Sequence, residues 1–372
     1  MRRETMPESW RPSIELAGRL SSANWTAEEA QYSSYAVHKG LNELNDFFER
    51  HPEAISEIGA DAVEAFINAS YAAENMPSLK RAAREAARLA LVELIAPYLD
   101  RRDSSITCSD YADLVTYAIY AHTLLEPGDP RHAKLVSLTN SANRACDTIV
   151  SILDCDPVKI LADPNSSIDD VYELVVWAVT FIEAQVVPRL ELRDDARELP
   201  ARLWRYLEVY PLVGAAGFTE GPLSDDFIAT AYLATHIGYI PTGYGRHPIH
   251  VEDSPRLYDF IRSNFYTVLE STSMPGQLDL LSEFVDLLRQ YGCTEENDLQ
   301  VRDGTRYLLE LFRGAGESWV AYFGPGESQD ESFYDSVHKP WTGMAGVRAR
   351  VMEQPVAGTY GGVVRSWLDP AG

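Results

Sequence analysis

The chain has 372 residues, 45% of them apolar and 24% charged, ordinary proportions for a globular protein able to bury a core without cross-links. Its 56 acidic against 32 basic residues leave a formal net charge of −24, which repels nucleic acid and anionic membrane surfaces and argues against either as a partner. The four cysteines, Cys108, Cys146, Cys155 and Cys293, have no metal-ligand spacing, the first residues have no signal-peptide core, and the most apolar run (174–187) is short and carries Glu183. The expectation is a cytoplasmic protein with free thiols and no membrane span.

In chain order, residues 1–25 show no sustained period and read as an extended lead-in. Thr26-Ala27-Glu28-Glu29 is a capping box that predicts a helix to about Arg50. Pro52 opens a second helix to about Ala73, and Ser78 caps a third to about Leu99, both with helical apolar spacing. A fourth runs from Asp110 to about Leu125; a fifth follows Gly128-Asp129-Pro130 and ends near Asp154. Ser167 caps a sixth that is apolar almost all round, the mark of a helix inside its fold. A seventh covers Asp194 to about Val209, an eighth runs from Ser224 to about Gly238, and Pro255 opens a ninth. Runs near 278–291, 300–313 and 333–350 bring the total to about twelve, with one short extended piece expected after Pro355.

Twelve helices on short links are what six concentric pairs require. Several alternate helices also begin alike: Ser109-Asp110-Tyr111, Asp169-Asp170-Val171-Tyr172, Ser224-Asp225-Asp226-Phe227 and Leu278-Asp279-Leu280-Leu281. The predicted fold is all-α, an (α/α)6 toroid-like barrel over 26–352 with a C-terminal tail over 353–372; a helical solenoid or bundle is the alternative.

Two motifs lie in the last third. In the first, Gly304-x-x-Tyr307-Leu308-x-x-x-Phe312-x-x-x-Gly316-x-x-Trp319, a helix ends on glycine and leads to a Trp. It resembles the Gln-Trp repeat of squalene–hopene-type terpene cyclases, with Phe312 where that repeat carries Gln and one extra residue before the Trp. In the second, Pro325-Gly326 precede Tyr334-Asp335-x-x-His338 and Trp341, a pattern similar to the last repeat of protein prenyltransferase β subunits. There the His binds zinc with an Asp and a Cys from the preceding repeat. Asp279 matches the Asp, but Leu281 stands at the Cys position, so a third ligand has to come from elsewhere, with Glu283 one turn along the same face. The resemblance implies a central aromatic cavity and an apolar or isoprenoid-type small-molecule substrate, as in specialised metabolism.

Asp279, His338 and Glu283 are therefore the candidate catalytic groups, with a divalent metal (Zn or Mg) as the cofactor if there is one, held by Asp279 and His338. The stretch His236–Asp253 reads as a loop whose His236, Tyr244, Arg246, His247 and His250 suit a site mouth. Trp177, Tyr334 and Trp341 are candidate wall residues. The acidic helix starts Asp110, Asp169, Asp170, Asp225, Asp226 and Asp279 either converge at one end of a cavity or cap their own helices. No Asp-x-Asp-Asp, Asp-Asp-x-x-Asp metal motif, Walker loop, GxSxG or HExxH occurs. A carbohydrate-active enzyme built on the same barrel and a non-catalytic helical scaffold or maturation partner are the alternative functions.

Overall fold

Apolar residues recur at helical spacing along nearly the whole chain, and all regular structure among the described residues is helical. The computed structural model describes residues 7–73, 75–271, 277–322, 332–348, 352–353 and 355–368. The helices are α1 (Ile14–Arg19), α2 (Ala27–Arg50), α3 (Ala54–Ile58), α4 (Ala60–Ala72), α5 (Pro77–Leu99), α6 (Tyr111–Leu124), α7 (Pro130–Ala145), α8 (Val150–Leu153), α9 (Pro157–Ala162), α10 (Ile168–Val186), α11 (Asp194–Leu207), α12 (Asp225–Thr242), α13 (Pro255–Glu270), α14 (Gln277–Gln290), α15 (Leu299–Gly314), α16 (Phe333–Val347) and α17 (Tyr360–Leu368). No described helix is long and apolar enough to cross a membrane.

The expected helices are present, with differences of local cause. The Thr26 box forms as read: Glu29 N–H donates to the Thr26 hydroxyl at 3.2 Å, and Thr26 N–H donates to the Glu29 carboxylate at 2.7 Å. The run expected over 52–73 breaks at Gly59, whose φ of +69° no helix accepts. The fifth helix ends at Ala145 and resumes as the short α8. The eighth continues to Thr242, so His236 lies on a helix and the loop begins only at Gly243. The piece after Pro355, expected extended, contains α17. The lead-in also contains α1 and is docked: Trp10 stands edge-on to Tyr258 with ring centroids 5.6 Å apart, and Ser13 Oγ donates to Glu270 at 3.1 Å.

Helix packing follows a cycle. α4 touches α6, α6 touches α10, and α10, α12, α14 and α16 follow in turn until α16 returns to α4. A second set lies against the first, with α5 on α4, α7 on α6, α11 on α10, α13 on α14, α15 on α14 and α2 on α16. α17 packs on α10 and α12, and its Tyr360 hydroxyl donates to the Ile240 carbonyl at 2.6 Å near the end of α12.

The Trp of the first motif tucks back onto the start of the chain. Trp319 is fully buried, its indole N–H donating to the Ala36 carbonyl of α2 at 3.0 Å and its ring 4.7 Å from that of Phe312. It fits because Gly343 of α16 has no side chain, and a Cβ there would stand 2.4 Å from the indole. Pro325 and Gly326 of the second motif lie outside the described residues.

The free-thiol expectation fails for two of the four cysteines. α6 and α7 form an antiparallel hairpin, which brings the turn before α6 beside the end of α7 and joins Cys108 to Cys146 in a disulfide. Cys155 and Cys293 are free. Cysteine chemistry thus no longer argues for a reducing cytosol.

Replacing Trp319 with Ala empties a buried site between α2, α15 and α16. The expected loss is about 3–5 kcal/mol of unfolding free energy, measured by urea denaturation; a change under 1 kcal/mol would mean that this wedge does not hold the two chain ends together.

Candidate active site

Five of the six helices in the cycle share one cavity, and each contributes a row of residues three or four apart along one helix face, joined on α14 and α16 by the adjacent Ser282 and Thr342. α4 supplies Asp61, Glu64 and Asn68; α10 supplies Tyr172 and Val176; α12 supplies His236 and Tyr239; α14 supplies Glu283 and Asp286; α16 supplies His338, Trp341 and Ala345. Tyr244, just past α12, Tyr334, at the start of α16, and Ser282, Thr342 and Arg348 also belong to the wall. The cavity measures about 230 Å³. Val176 is 37% exposed although it sits mid-helix, because its side faces this open space. A second lobe of about 200 Å³ shares Asp61, Glu64, Asn68, Val176 and Tyr244 and runs between α4, α6 and α10 to Glu183 and Arg246.

Burial sets the protonation of the acids. Glu64 accepts a bond from the Tyr120 hydroxyl at 3.2 Å. Burial first, then the charges of Asp61 and Glu183, push its pKa up to about 8, outweighing the bonds from Tyr120 and Asn68. Glu283 lies well above the carboxylate range, through burial and then Asp279, despite a bond from the Thr235 hydroxyl. Burial raises Asp61 too, opposed by His338. Two further carboxylates are held by arginine: Glu183 meets Arg246 at 2.5 Å, and Asp286 meets Arg348 at 3.3 Å.

His236 lies in the same wall with the opposite shift. Its Nδ1 is 2.9 Å from the Tyr232 carbonyl, which can only accept, so Nδ1 carries the proton and Nε2 keeps a lone pair. Burial lowers its pKa to about 4, with His338 acting in the same sense and the Tyr232 bond opposing. Near neutral pH the cavity therefore holds a Glu64 carboxyl that keeps its proton and a neutral imidazole on α12, with Glu283 shifted in the same sense as Glu64, an arrangement suited to general acid–base chemistry.

Of the residues expected from the sequence, Glu283, His236, Tyr244, Tyr334, His338 and Trp341 meet in the main cavity, and Arg246 lines the second lobe. Asp279 Oδ1 and His338 Nε2 are 4.0 Å apart, so that pair is brought together. Three are placed elsewhere. Trp177 packs against Phe181 and donates its indole N–H to Glu173 at 2.9 Å. His247 is buried, stacked on Tyr360 at 5.8 Å with Nδ1 3.2 Å from the Glu353 carbonyl, and ties down the tail. His250 is exposed at the start of a short turn. Among the described residues no group of three or more His, Cys, Asp or Glu could hold a metal ion.

The acidic helix starts do not gather. Asp110 is bound by Arg101 at 2.6 Å, Asp170 accepts from the Ser167 hydroxyl at 2.7 Å, and Asp169, Asp225 and Asp226 are exposed. Sequence reasoning missed Asp61, Glu64, Asn68, Tyr172, Glu183, Tyr239, Asp286 and Arg348. One signal was present: Asp61-x-x-Glu64-x-x-x-Asn68 and Asp279-x-x-x-Glu283-x-x-Asp286 are polar stripes along one face of otherwise apolar helices.

These shifts have opposite consequences for stability. His236 is depressed, so its contribution is present above its unfolded pKa of 6.5 and is lost as pH falls toward 4. Glu64 is raised, so its contribution is complete below 4.5 and is lost as pH rises through 8. Between pH 6.5 and 8 the stability of the protein is expected to fall, and Glu64→Gln is expected to flatten that fall in denaturation curves taken at half-unit steps; equal slopes in both proteins would place the Glu64 carboxyl in an ordinary, ionised state. No protein-family model matches the chain, and neither a curated protein nor a solved structure is significantly similar to it.

Proposed function

We propose that the protein is an acid–base enzyme acting on a small polyhydroxylated, carbohydrate-like substrate in the central cavity of an (α/α)6 toroid. The cyclic order of contacts among α4, α6, α10, α12, α14 and α16, with a second helix set laid against it, supports the toroid. The observation that carries the function is the juxtaposition of the buried carboxyls Glu64 and Glu283 with the neutral His236 imidazole on facing walls of one solvent-accessible cavity. Glu64 is the acid, His236 the base, and Glu283, bonded to Thr235, a second donor.

The lining suits hydroxyl groups. Carboxyl, amide and imidazole groups each accept or donate bonds to hydroxyls, while Tyr172, Tyr239 and Trp341 offer ring faces to C–H surfaces. A prenyl diphosphate fits less well, since Arg246 and Arg348 are each already paired with a carboxylate and offer phosphate no uncommitted positive charge. The aromatic rings favour, as a second reading, the uncharged isoprenoid-type substrate that the terpene-cyclase resemblance implies, with Glu64 as proton donor.

A panel of sugars, sugar phosphates, prenyl alcohols and prenyl diphosphates, read by calorimetry and mass spectrometry, tests both readings. Turnover of a sugar is expected, falling about 100- to 10,000-fold in Glu64→Gln. Turnover restricted to prenyl substrates would replace the first reading with the second, and inertness across the panel would leave a helical scaffold.

A further inference from the structure

The two lobes meet at one acid. Asp61, Glu64 and Asn68 of α4, with Val176 of α10 and Tyr244, belong to both walls, so Glu64 stands at the junction and not at the end of either space. Each lobe, at about 230 and 200 Å³, is below the usual span of a pocket for a drug-sized molecule, taken as roughly 300–1,000 Å³, and suits one six-membered ring. The lobes also differ in chemistry. The first is walled by His236, Glu283, His338 and Trp341; the second by Thr116, Tyr120, Thr123 and Thr180, closing on the Glu183–Arg246 pair. The Ser282 hydroxyl, fully buried and with no hydrogen-bond partner among the described residues, belongs to the wall of the first lobe.

We infer that the cavity is two subsites for a two-ring glycoside whose linking oxygen lies over Glu64, an inference that rests on the carbohydrate reading above. The Glu64 carboxyl gives its proton to the linking oxygen. The bond from that oxygen to the anomeric carbon breaks, and its electron pair stays on the oxygen as the new hydroxyl of the ring that leaves. A water molecule bonds to the anomeric carbon and loses a proton to His236 Nε2; transfer of one proton from the imidazolium to the Glu64 carboxylate through solvent restores the starting state. The net reaction consumes one water and yields two monosaccharides. The second lobe, rich in hydroxyls and ending on a paired arginine, holds one ring and contributes affinity without chemistry.

Calorimetry on the full chain with glucose, maltose, cellobiose and xylobiose, together with an assay of released reducing sugar, tests this. At least one disaccharide is expected to bind ten-fold or more tightly than glucose. Thr180→Trp, which fills the second lobe, is expected to abolish that difference while glucose still binds, with Thr116→Phe as a second blocking variant if the first does not fold. Glu64→Gln is expected to keep disaccharide binding and lose release of monosaccharide. Equal binding of glucose and disaccharides, or blocking variants that leave the difference intact, would overturn the two subsites. Tight disaccharide binding without release of monosaccharide would overturn the hydrolytic step. Failure of every sugar to bind would remove the carbohydrate reading itself.

Discussion

Everything at the site depends on how α16 is held between the two ends of the chain. It packs on α14 from the late part of the sequence and on α2 and α4 from the early part. Trp319 fixes that junction, with its ring against Gly343 of α16 and its indole N–H on the Ala36 carbonyl of α2. Burying an indole at a crossing where one helix presents only glycine is a strong and specific constraint, because no other side chain offers the same shape. Without this closure Asp61 and Glu64 of α4 would not face Glu283 and His338 across a common space.

The cavity so formed is expensive to maintain. Carboxyls on α4 and α14 are half-buried in its wall, and positive charge there is already committed, since Arg246 is paired with Glu183 and Arg348 with Asp286. Such groups stay neutral by holding their protons, which lowers stability as pH rises and supplies proton donors at neutral pH. The proposed acid is thus the same group that lowers stability as pH rises, a combination common at functional sites. The tail contributes from the far end of α12: Tyr360 hydrogen-bonds the Ile240 carbonyl, and the Arg246 guanidinium lies over its ring at 5.1 Å, so α17 is part of what keeps Arg246 in the second lobe.

The disulfide shows how far pairwise spacing falls short as a guide. Cys108 and Cys146 are 38 residues apart and share no motif, yet antiparallel α6 and α7 place their Cα atoms 4.8 Å apart. The same logic separates His247 from His250. Three residues apart in sequence, one is buried against Tyr360 and the other is exposed.

The sequence by itself determined the helices and much of their boundaries, because caps and apolar spacing act locally: Thr26 with Glu29, Pro255 at a first turn, the apolar face of the helix after Ser167. It also named His236, Glu283, Tyr334, His338 and Trp341, which line the cavity, but on other grounds: the last four through the likeness to a prenyltransferase repeat and as aromatic wall, and His236 as part of an expected loop that is helix instead. What it left undecided was which helix faces meet. Asp61 and Glu64 look like ordinary surface acids of a helix until α16 closes the cycle and turns that face inward; Trp177 looks like a cavity wall until α6 brings Tyr111 to stack on its ring. Only tertiary packing decided those orientations, because a helix exposes every residue equally until its neighbours choose a side.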